Sequence, residues 1–366
     1  MLLVAAVLVL VLPGCARKAP PLPPPVVPVY PYSTDVAKAF YATASGLSEM
    51  AFQGEAEAEL PASKAPNASI LSSDGKAIVV AVNGWGVERI EVSPDSQAYR
   101  LVDSPLPAQF PGLCTGGAWY TGSGFLVQLF RDPFGDPPPS VAAESGAGAE
   151  RVPASRLVFF DGSGGAATTP NPFPRDLDPG FELFALLPAG GTWFAELRKD
   201  AAERVDLKFF AVGDPLSLSG PVREIRRAEF EAALTPLPFS SLAGETKAAL
   251  GSALRLLGKG PWLARVRSGA GEDRWYLSSG KAEEAAPVFA WTYTEGAATK
   301  VLALSPDGKM ARSEGLGEAT VTSLTAPVEG AGFTALAVAG NLAAAAWEAG
   351  DFPFISSAGI VLAPVR

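Results

Sequence analysis

Short apolar or alternating segments, separated by turn residues, recur along the chain from about residue 66 to its C-terminus. Examples are Ala77–Val82, Phe125–Phe130 and Val288–Thr294, each bounded by Gly, Asp, Lys or Pro residues. Short segments of this kind that end at turn signals are typical of β-strands. Little helical sequence lies between them, whereas a parallel sheet needs crossover connections, usually helices. The pattern therefore predicts an all-β fold whose strands are joined mainly by hairpins.

So many strands require a fold that protects their edges. A β-propeller does so by radial repetition, and a large β-sandwich or barrel is the alternative. The 38 Gly and 34 Pro residues suit a fold with many tight turns. Groups of strands recur at irregular intervals of about 40 to 60 residues. We expect a propeller of about five to seven degenerate blades over residues 61–366.

Two segments share an Asp-Gly turn: Leu71–Ala77 (LSSDGKA) and Leu304–Met310 (LSPDGKM). Both place Asp-Gly between two apolar strands, as a tight hairpin requires. The second resembles the SPDGK turn that is common in WD-repeat and Tol-associated β-propellers. The resemblance covers about seven residues in each copy, and it implies a propeller.

Three segments depart from the strand pattern. Residues 33–47 begin with Ser and Thr, which are helix-capping types, and predict one short helix outside the main domain. The Pro-, Gly- and Ala-rich residues 131–153 predict a surface loop. Within an insertion at about 226–258, the spacing of apolar residues predicts helices over Ala228–Leu234 and Glu245–Leu257. These helices are expected either to pack on the propeller rim or to form a lid or docking surface.

The N-terminus carries an unbroken apolar run, Leu2–Leu12, that leads directly into Pro13, Gly14 and Cys15. The run is too short to span a bilayer, which takes about 20 residues. It matches the apolar region of a secretory signal. The segment LPGC resembles the lipobox of bacterial lipoproteins, which implies cleavage before Cys15 and lipid attachment to its thiol. An ordinary signal with an unrelated cysteine is the alternative.

A proline-rich stretch at residues 16–32 follows the cysteine. Such sequences favour polyproline II, which would hold a folded body away from a membrane surface. We expect a cell-envelope protein, anchored by lipid on Cys15, on the periplasmic or surface side of a bacterial membrane. Ala16 after the cysteine resembles the outer-membrane sorting signal of enteric bacteria. The expected organisation is a signal peptide (1–14), an anchor and spacer (15–32), a short helix and linker (33–60), and the propeller domain (61–366).

The chain contains no histidine. This excludes Ser-His-Asp and Cys-His catalysis and the common histidine-ligated metal sites. The net charge is −9, and no basic run with interleaved aromatic residues occurs, so a nucleic-acid partner is not expected. No phosphate-binding loop or metal motif is present either. We therefore predict no cofactor, no metal and no catalytic residue.

Carboxylates and tryptophans remain as candidates for sugar chemistry. A pair of acids about 5 to 10 Å apart across a cleft would be needed to cleave a glycan. The acids on or near predicted strands are Glu182, Glu196, Asp206 and Glu224. Each could equally be a solvent-facing strand residue.

The seven tryptophans are spread over the predicted strands, and packing between blades is their default role. They are Trp85, Trp119, Trp193, Trp262, Trp275, Trp291 and Trp347. If one or two of them instead stack on a sugar, the best exposed candidates are Trp85, between two turn glycines, and the pair Trp119 and Tyr120.

These observations favour a non-enzymatic envelope lipoprotein whose propeller is a protein-binding or assembly module. Its expected partners are membrane lipid, through Cys15, and another envelope protein. The alternative is a glycan-binding or carboxylate-dependent glycan-cleaving propeller. A cleft that holds acids beside exposed aromatic rings would favour this alternative, and a flat apolar face would count against it.

Overall fold

A computed structural model describes residues 29–31, 38–43, 46–50, 70–82, 86–92, 98–105, 113–131, 155–161, 166–169, 180–201, 204–216, 222–314, 319–350 and 357–365. These residues form 25 β-strands and two α-helices. The all-β class predicted from the sequence is confirmed. The proposed signal segment, Cys15 and most of the predicted loop at 131–153 lie outside the described residues.

The strands that precede the first helix are β1 (Val29–Pro31), β2 (Lys38–Thr43), β3 (Gly46–Met50), β4 (Ile70–Ser73), β5 (Ala77–Val82), β6 (Gly86–Val92), β7 (Ala98–Pro105), β8 (Leu113–Tyr120), β9 (Gly124–Arg131), β10 (Ser155–Asp161), β11 (Ala166–Thr168), β12 (Glu182–Ala189), β13 (Thr192–Ala201), β14 (Arg204–Val212) and β15 (Val222–Ile225). Then come helix α1 (Arg227–Leu234), the two-residue strand β16 (Leu237–Pro238) and helix α2 (Gly244–Leu257).

The remaining strands are β17 (Trp262–Ser268), β18 (Asp273–Leu277), β19 (Ala286–Glu295), β20 (Ala298–Leu304), β21 (Lys309–Ser313), β22 (Ala319–Ser323), β23 (Ala331–Ala339), β24 (Leu342–Ala349) and β25 (Ser357–Pro364). Two short 3-10 helices occur at Phe239–Ser241 and Ala282–Glu284.

The strands form five sheets. In spatial order, sheet 1 is β1-β7-β6-β5-β4, sheet 2 is β11-β10-β9-β8, sheet 3 is β12-β13-β14-β15, sheet 4 is β16-β18-β17-β19-β20-β21-β22, and sheet 5 is β23-β24-β25-β2-β3. Most neighbouring strands are consecutive and antiparallel, as hairpin connections require. In sheet 4, however, β17 pairs parallel with β19, and β16 pairs parallel with β18.

The contacts between sheets follow a ring. Sheet 1 contacts sheet 2 through β4 and β8, sheet 2 contacts sheet 3 through β10 and β12, and sheet 3 contacts sheet 4 through β12 and β18. Sheet 4 contacts sheet 5 through β19 and β23, and sheet 5 returns to sheet 1 through β23 and β4. Each sheet in this part of the chain therefore has a neighbour on either side.

Sheet 5 joins the two ends of the chain, since the N-terminal strand β2 pairs antiparallel with β25. The strands approach closely at Gly359, where a Cβ atom would lie 1.9 Å from the carbonyl oxygen of Phe40. Phe40 is 1% exposed and belongs to the largest core cluster, together with residues of β23, β24 and β25. Burial of this N-terminal strand thus contributes to the core that closes the sheet.

The helix predicted over residues 33–47 is not found; β2 and β3 occupy its second half. Its local sequence has capping residues, but Ala39 and Phe40 are completely or almost completely buried between partner strands. Burial against distant strands outweighs a weak local helix preference.

The two helices of the insertion lie where the sequence placed them. Helix α2 buries Leu250, Leu254 and Leu257 against strands of sheet 4. Helix α1 packs Phe230 on Phe209 of sheet 3, with ring centroids 4.8 Å apart. Both helices therefore cover sheet surfaces rather than extend into solvent.

The two Asp-Gly turns occupy different places in this architecture. Asp74 and Gly75 connect β4 to β5, whereas Asp307 and Gly308 connect β20 to β21. The first turn contacts the β23–β24 turn through a hydrogen bond from Gly340 N to Gly75 O. The second lies near the beginning of β23, where Phe333 N donates to Pro306 O. The two segments share a local turn but are not equivalent positions of a structural repeat.

Candidate functional site

Six hairpin turns, contributed by all five sheets, meet on one side of the molecule, which we call the hairpin face. They are the turns at 74–76, 121–123, 190–191, 269–272, 296–297 and 340–341, and residues in or directly beside each turn line one of two adjoining clefts. The Asp74 carboxylate shapes the first of them by accepting hydrogen bonds from the backbone N–H groups of Lys76 and Ala77. Loops held by a rigid scaffold in this way are common places for binding sites.

Hydrogen bonds tie several of these turns together. Gly340 N donates to Gly75 O at 3.1 Å, joining sheet 5 to sheet 1. Tyr120 N donates to Ser72 Oγ at 2.9 Å, joining sheet 2 to sheet 1. The relative positions of the turns are therefore fixed by specific contacts.

The turn at 269–272 lies at the centre of the hairpin face. A Cβ atom on Gly271 would lie 2.9 Å from the carbonyl oxygen of Tyr120, and one on Gly269 would lie 3.5 Å from that of Ser73. This turn thus touches both sheet 1 and sheet 2 although it belongs to sheet 4. It separates two clefts, and Ala270 and Glu272 line both of them.

The helix-side cleft, which reaches Thr246 of α2, has a volume of about 570 Å³. Its lining is mostly polar and includes two aromatic rings, Trp291 and Tyr293. The lining residues that carry a carboxylate are Asp74, Glu272 and Glu295.

The glycine-turn cleft, which lies beside Gly190 and Gly191, has a volume of about 620 Å³. Three aromatic side chains line it, and so do several hydroxyl and charged groups. These side chains include Tyr120, Trp193, Asp214, Glu272, Arg274 and Tyr276. A cleft with both aromatic rings and a few polar groups is typical of small-molecule binding sites.

A buried charge cluster supports the wall of the glycine-turn cleft. Asp273 accepts two hydrogen bonds from Arg265, both at 2.8 Å, and lies 3.4 Å from Arg267 Nε. Arg267 also donates to the carbonyl oxygen of Ala118 at 2.9 Å, which links sheet 4 to sheet 2. The cluster therefore fixes β17 and β18 against their neighbours.

The pKa values of this cluster follow from burial and charge. Burial opposes ionisation of Asp273, but the guanidinium groups of Arg265 and Arg267 outweigh it and hold the pKa of Asp273 below its usual range. Burial lowers the pKa of Arg267 to about 10, against the attraction of Asp273. All three groups therefore stay charged at neutral pH, and Asp273 is unsuited to act as a general acid.

Tyr276 places a protonated hydroxyl beside the cleft. Burial and the neighbouring Glu272 carboxylate raise the pKa of Tyr276, so its hydroxyl remains a donor at neutral pH. It donates to Glu272 Oε1 at 3.3 Å. Tyr276 and Glu272 thereby form one polar pair on the cleft wall.

The structure treats the aromatic candidates Trp119 and Tyr120 differently. Tyr120 lines the glycine-turn cleft. Trp119, the preceding strand residue, is 5% exposed, so the exposure predicted for it is not found. Successive strand residues point to opposite sides, which explains the difference. Trp119 instead packs edge-on against Trp193, with ring centroids 5.3 Å apart.

The indole nitrogen of Trp119 faces the buried charges. Its Nε1 atom is buried and has no hydrogen-bond partner among the described residues. It is nevertheless close enough to contribute to the lowered pKa of Asp273. Trp119 therefore connects the aromatic wall of the cleft to the charge cluster behind it.

The other candidates from the sequence are either outside the described residues or away from both clefts. Trp85 and Cys15 lie outside the described residues. The four strand acids, Glu182, Glu196, Asp206 and Glu224, all lie in sheet 3, and none is among the lining residues. Burial raises the pKa of Glu196, against the attraction of Arg227 and Arg198.

Sequence reasoning missed the group formed by Glu272, Asp273, Arg274 and Tyr276. The available signal was a charged and aromatic run, Glu272–Tyr276, that directly follows a glycine-containing turn. In a strand of this length, alternate residues face opposite sides, so one side can enter a cleft.

Among the described residues, no group of three or more Cys, Asp or Glu side chains is arranged to hold a metal ion. No helix there is long and apolar enough to cross a membrane.

The chain belongs to a family of unknown function, DUF8086, whose model matches residues 149–365. The matched segment contains the central turn and most residues of the glycine-turn cleft. No curated protein matches the chain.

Several solved structures show a distant likeness. A mutant of Trypanosoma rangeli sialidase displaying trans-sialidase activity is 10% identical, with a TM-score of 0.27, over 92% of this chain and 53% of that chain. The β-1,2-mannobiose phosphorylase from Listeria innocua is 12% identical, with a TM-score of 0.25, over 93% and 88% of the two chains. Drosophila Plexin A in complex with Semaphorin 1b is 10% identical, with a TM-score of 0.20, over 93% and 87%.

The chain spans about half the length of the sialidase. At these identities and TM-scores, none of the three structures supports an inference about function.

Proposed function

We propose that this chain is a lipid-anchored envelope protein whose five sheets form a β-propeller, and that its hairpin face binds a glycan. The ring of contacts from sheet 1 to sheet 5 supports the propeller. So does the completion of sheet 5 by the N-terminal strand β2, because a propeller needs its last blade joined to its first.

The observation that carries the glycan proposal is the chemistry of the clefts on the hairpin face. Sugars present hydroxyl groups at their edges and C–H groups on their ring faces, so they suit clefts that combine polar groups with aromatic rings. Tyr120 and Trp193 offer such rings in the glycine-turn cleft, beside Asp214 and Glu272.

The hairpin face also lacks the features of a protein interface. Among the described residues, the exposed large apolar side chains are Phe184, Val205, Leu207, Leu256 and Val321. None of them lines either cleft. Protein-binding surfaces usually have an apolar centre, so a polar ligand fits this face better.

The two clefts share Ala270 and Glu272, so one ligand could extend past the central turn from one cleft into the other. We therefore propose an oligosaccharide rather than a single sugar as the ligand. The role proposed is binding, since the buried acid Asp273 is committed to two arginines.

Binding to an array of bacterial and host oligosaccharides, followed by calorimetry on the full chain in detergent, tests this function. We expect saturable binding that Trp193→Ala weakens by about tenfold or more, since stacking and burial are lost. Phe184→Ala is the matched control, because Phe184 is an exposed aromatic outside both clefts. An array without any bound glycan would contradict the proposal.

A protein-binding role remains a second candidate, favoured by an apolar surface on sheet 3. Leu207 lies opposite Arg198 in the ladder between β13 and β14, and the Arg198 guanidinium lies 5.3 Å from the ring centroid of Phe184. Phe184 is 45% exposed, and Val205, two residues before Leu207, is 47% exposed. Contiguous exposed apolar groups are typical of docking surfaces.

In-cell cross-linking with mass spectrometry distinguishes the two candidates. A photo-reactive residue at position 207 would capture an envelope protein if sheet 3 is the functional surface. The same residue at position 297, on the hairpin face, serves as the comparison. Capture of one defined partner from position 207 alone would favour the protein-binding role.

The lipid anchor is tested separately. We propose that Cys15 carries a diacylglyceryl group and tethers the body through the proline-rich segment. Cys15→Ala should abolish fatty-acid labelling of the protein, because the thiol that would carry the lipid is gone. Fatty-acid labelling that persists in this variant would contradict the assignment.

A further inference from the structure

Arg274 differs from the other positively charged side chains near the clefts because no described carboxylate forms an ion pair with it. It is the only Lys or Arg among the described residues that line either cleft. Within that part of the chain, no carboxylate forms an ion pair with it, and its buried Nε atom has no hydrogen-bond partner. A partly buried guanidinium of this kind can pair with a ligand carboxylate without first breaking a native ion pair.

The nearby acids are already engaged. Asp273, the residue before Arg274, is held by Arg265 and Arg267. Glu272 accepts a hydrogen bond from Tyr276 and also faces the shared wall of both clefts. Neither acid therefore neutralises Arg274 by an ion pair.

The backbone of the β12–β13 turn packs directly against the guanidinium of Arg274. Gly190 has a φ of +59°, and a Cβ atom at this residue would lie 2.6 Å from Arg274 Nη1. The guanidinium thus rests against the glycine backbone, where a larger side chain would displace it. Gly191, the next residue, has a φ of +80° and no atom within 4 Å of its Cβ position.

We propose that Arg274 binds a carboxylate carried by the glycan, so that the ligand of the glycine-turn cleft is an acidic oligosaccharide. This inference rests on the proposed function. A guanidinium forms two parallel hydrogen bonds with a carboxylate, which gives both strength and orientation. Asp214 and Glu272 also line the cleft, and a dianionic phosphate would meet more repulsion from them than a carboxylate does.

The first test compares ligands that differ only in the charged group. The probes are uronic-acid oligosaccharides with α- and β-linkages, their carboxyl-reduced neutral counterparts, and sulfated neutral oligosaccharides. We expect at least one acidic probe to bind about 10- to 100-fold more tightly than its reduced counterpart, with affinity that falls as salt is added.

Each alternative result has a distinct meaning. Equal binding of acidic and reduced probes would overturn the role of Arg274 and leave the glycan-binding function intact. Preference for the sulfated probes would overturn the assignment of a carboxylate. Failure of every probe and of the whole array would overturn the proposed function together with this inference.

The second test changes the site. Arg274→Gln should remove the preference for the acidic probe without lowering thermal stability, because no native ion pair is lost. Arg274→Lys should restore part of the preference, since it keeps the charge but not the paired geometry. A loss of stability with unchanged probe preference would show a structural role and contradict the proposal.

A turn glycine outside both clefts supplies a matched control for Gly190. Gly190→Ala should weaken binding of the acidic probe, because the new methyl group displaces the Arg274 guanidinium. Gly330→Ala, at a turn glycine with a φ of +76° that lines neither cleft, introduces a similar backbone strain in open space, so binding should change little. Equal effects of the two substitutions on the acidic probe would contradict the placement of Arg274 in the binding site.

Discussion

The two clefts of the hairpin face differ in how their positive charges are satisfied. Next to the helix-side cleft, Lys300 pairs with Glu295 and Glu314, and Arg312 contacts the same two acids. In the glycine-turn cleft, Arg274 has no such partner among the described residues. The comparison indicates that charges near the first cleft serve the fold, while Arg274 is available to a ligand.

A second contrast lies behind the clefts. The Asp273 cluster is buried, with side-chain exposures of 6% for Asp273 and Arg267, whereas Glu295 is 56% exposed. Buried pairs leave an uncompensated charge when one partner is removed, whereas water replaces an exposed partner. Removing a charge from the Asp273 cluster should therefore lower the free energy of unfolding far more than removing the charge of Glu295 or Glu314, whose carboxylates are exposed.

The largest effect is expected from Asp273→Asn. The substitution leaves the buried Arg267 and the partly exposed Arg265 without their carboxylate and should cost about 3–5 kcal/mol of unfolding free energy. Urea denaturation measures it, provided that the slope of the transition is unchanged. Asp206→Asn, which breaks the exposed Arg204–Asp206 pair, should cost less than about 1 kcal/mol. Similar costs for the two variants would contradict the contrast.

The pH dependence of the unfolding free energy should report the ionisation of Asp273. The pKa of Asp273 is lower in the folded than in the unfolded state. The stabilisation that this carboxylate gives the fold is therefore complete above its unfolded pKa of about 3.9. It is lost as the pH falls through the lower folded value. The stability difference between the unchanged protein and Asp273→Asn should therefore shrink in acid. A difference that grew as the pH fell would have the wrong sign.

The turn glycines should show smaller effects. A side chain in the left-handed region costs about 1–2 kcal/mol, so both Gly190→Ala and Gly330→Ala should lower the melting temperature modestly. Calorimetric melting of the two variants measures this strain. Only Gly190→Ala should in addition alter binding, because Arg274 is the neighbour that its methyl group meets.

The smallest effect is expected in the Lys300 network, where Lys300 is 9% exposed but its partners Glu295 and Glu314 are 56% and 39% exposed. Glu314→Gln leaves Lys300 and Arg312 with Glu295 as a partner, so the unfolding free energy should fall by less than about 1 kcal/mol. Added salt should reduce this loss further. A fall in unfolding free energy as large as that of Asp273→Asn would contradict the difference between the Asp273 cluster and the Lys300 network.

Local sequence patterns predicted much of the fold. The apolar run Ala77–Val82 coincides with β5, and both helices of the insertion occur where their periodicity placed them. The alanine-rich strand β24 was also recognisable from its turn-bounded apolar segment. Ala343–Ala346 are fully buried between β23 and β25, which favours strand over the usual helix preference of alanine.

The remaining features depend on contacts that no local pattern contains. Strand β2 forms because it pairs with β25 from the other end of the chain. Arg274 stands out only because no described acid pairs with it, and the absence of a partner is a property of the three-dimensional arrangement. Strand alternation predicts that Trp119 and Tyr120 face opposite sides of β8, but it does not say which side borders a cleft.

Hydrogen–deuterium exchange with the tightest-binding oligosaccharide tests the central claim most directly, since it locates the ligand on the intact chain. The account predicts slower exchange in three segments of the glycine-turn cleft, residues 120–123, 189–193 and 270–276, and loss of this protection in Arg274→Gln. Protection confined to the sheet 3 surface around Leu207, with these segments unchanged, would contradict it.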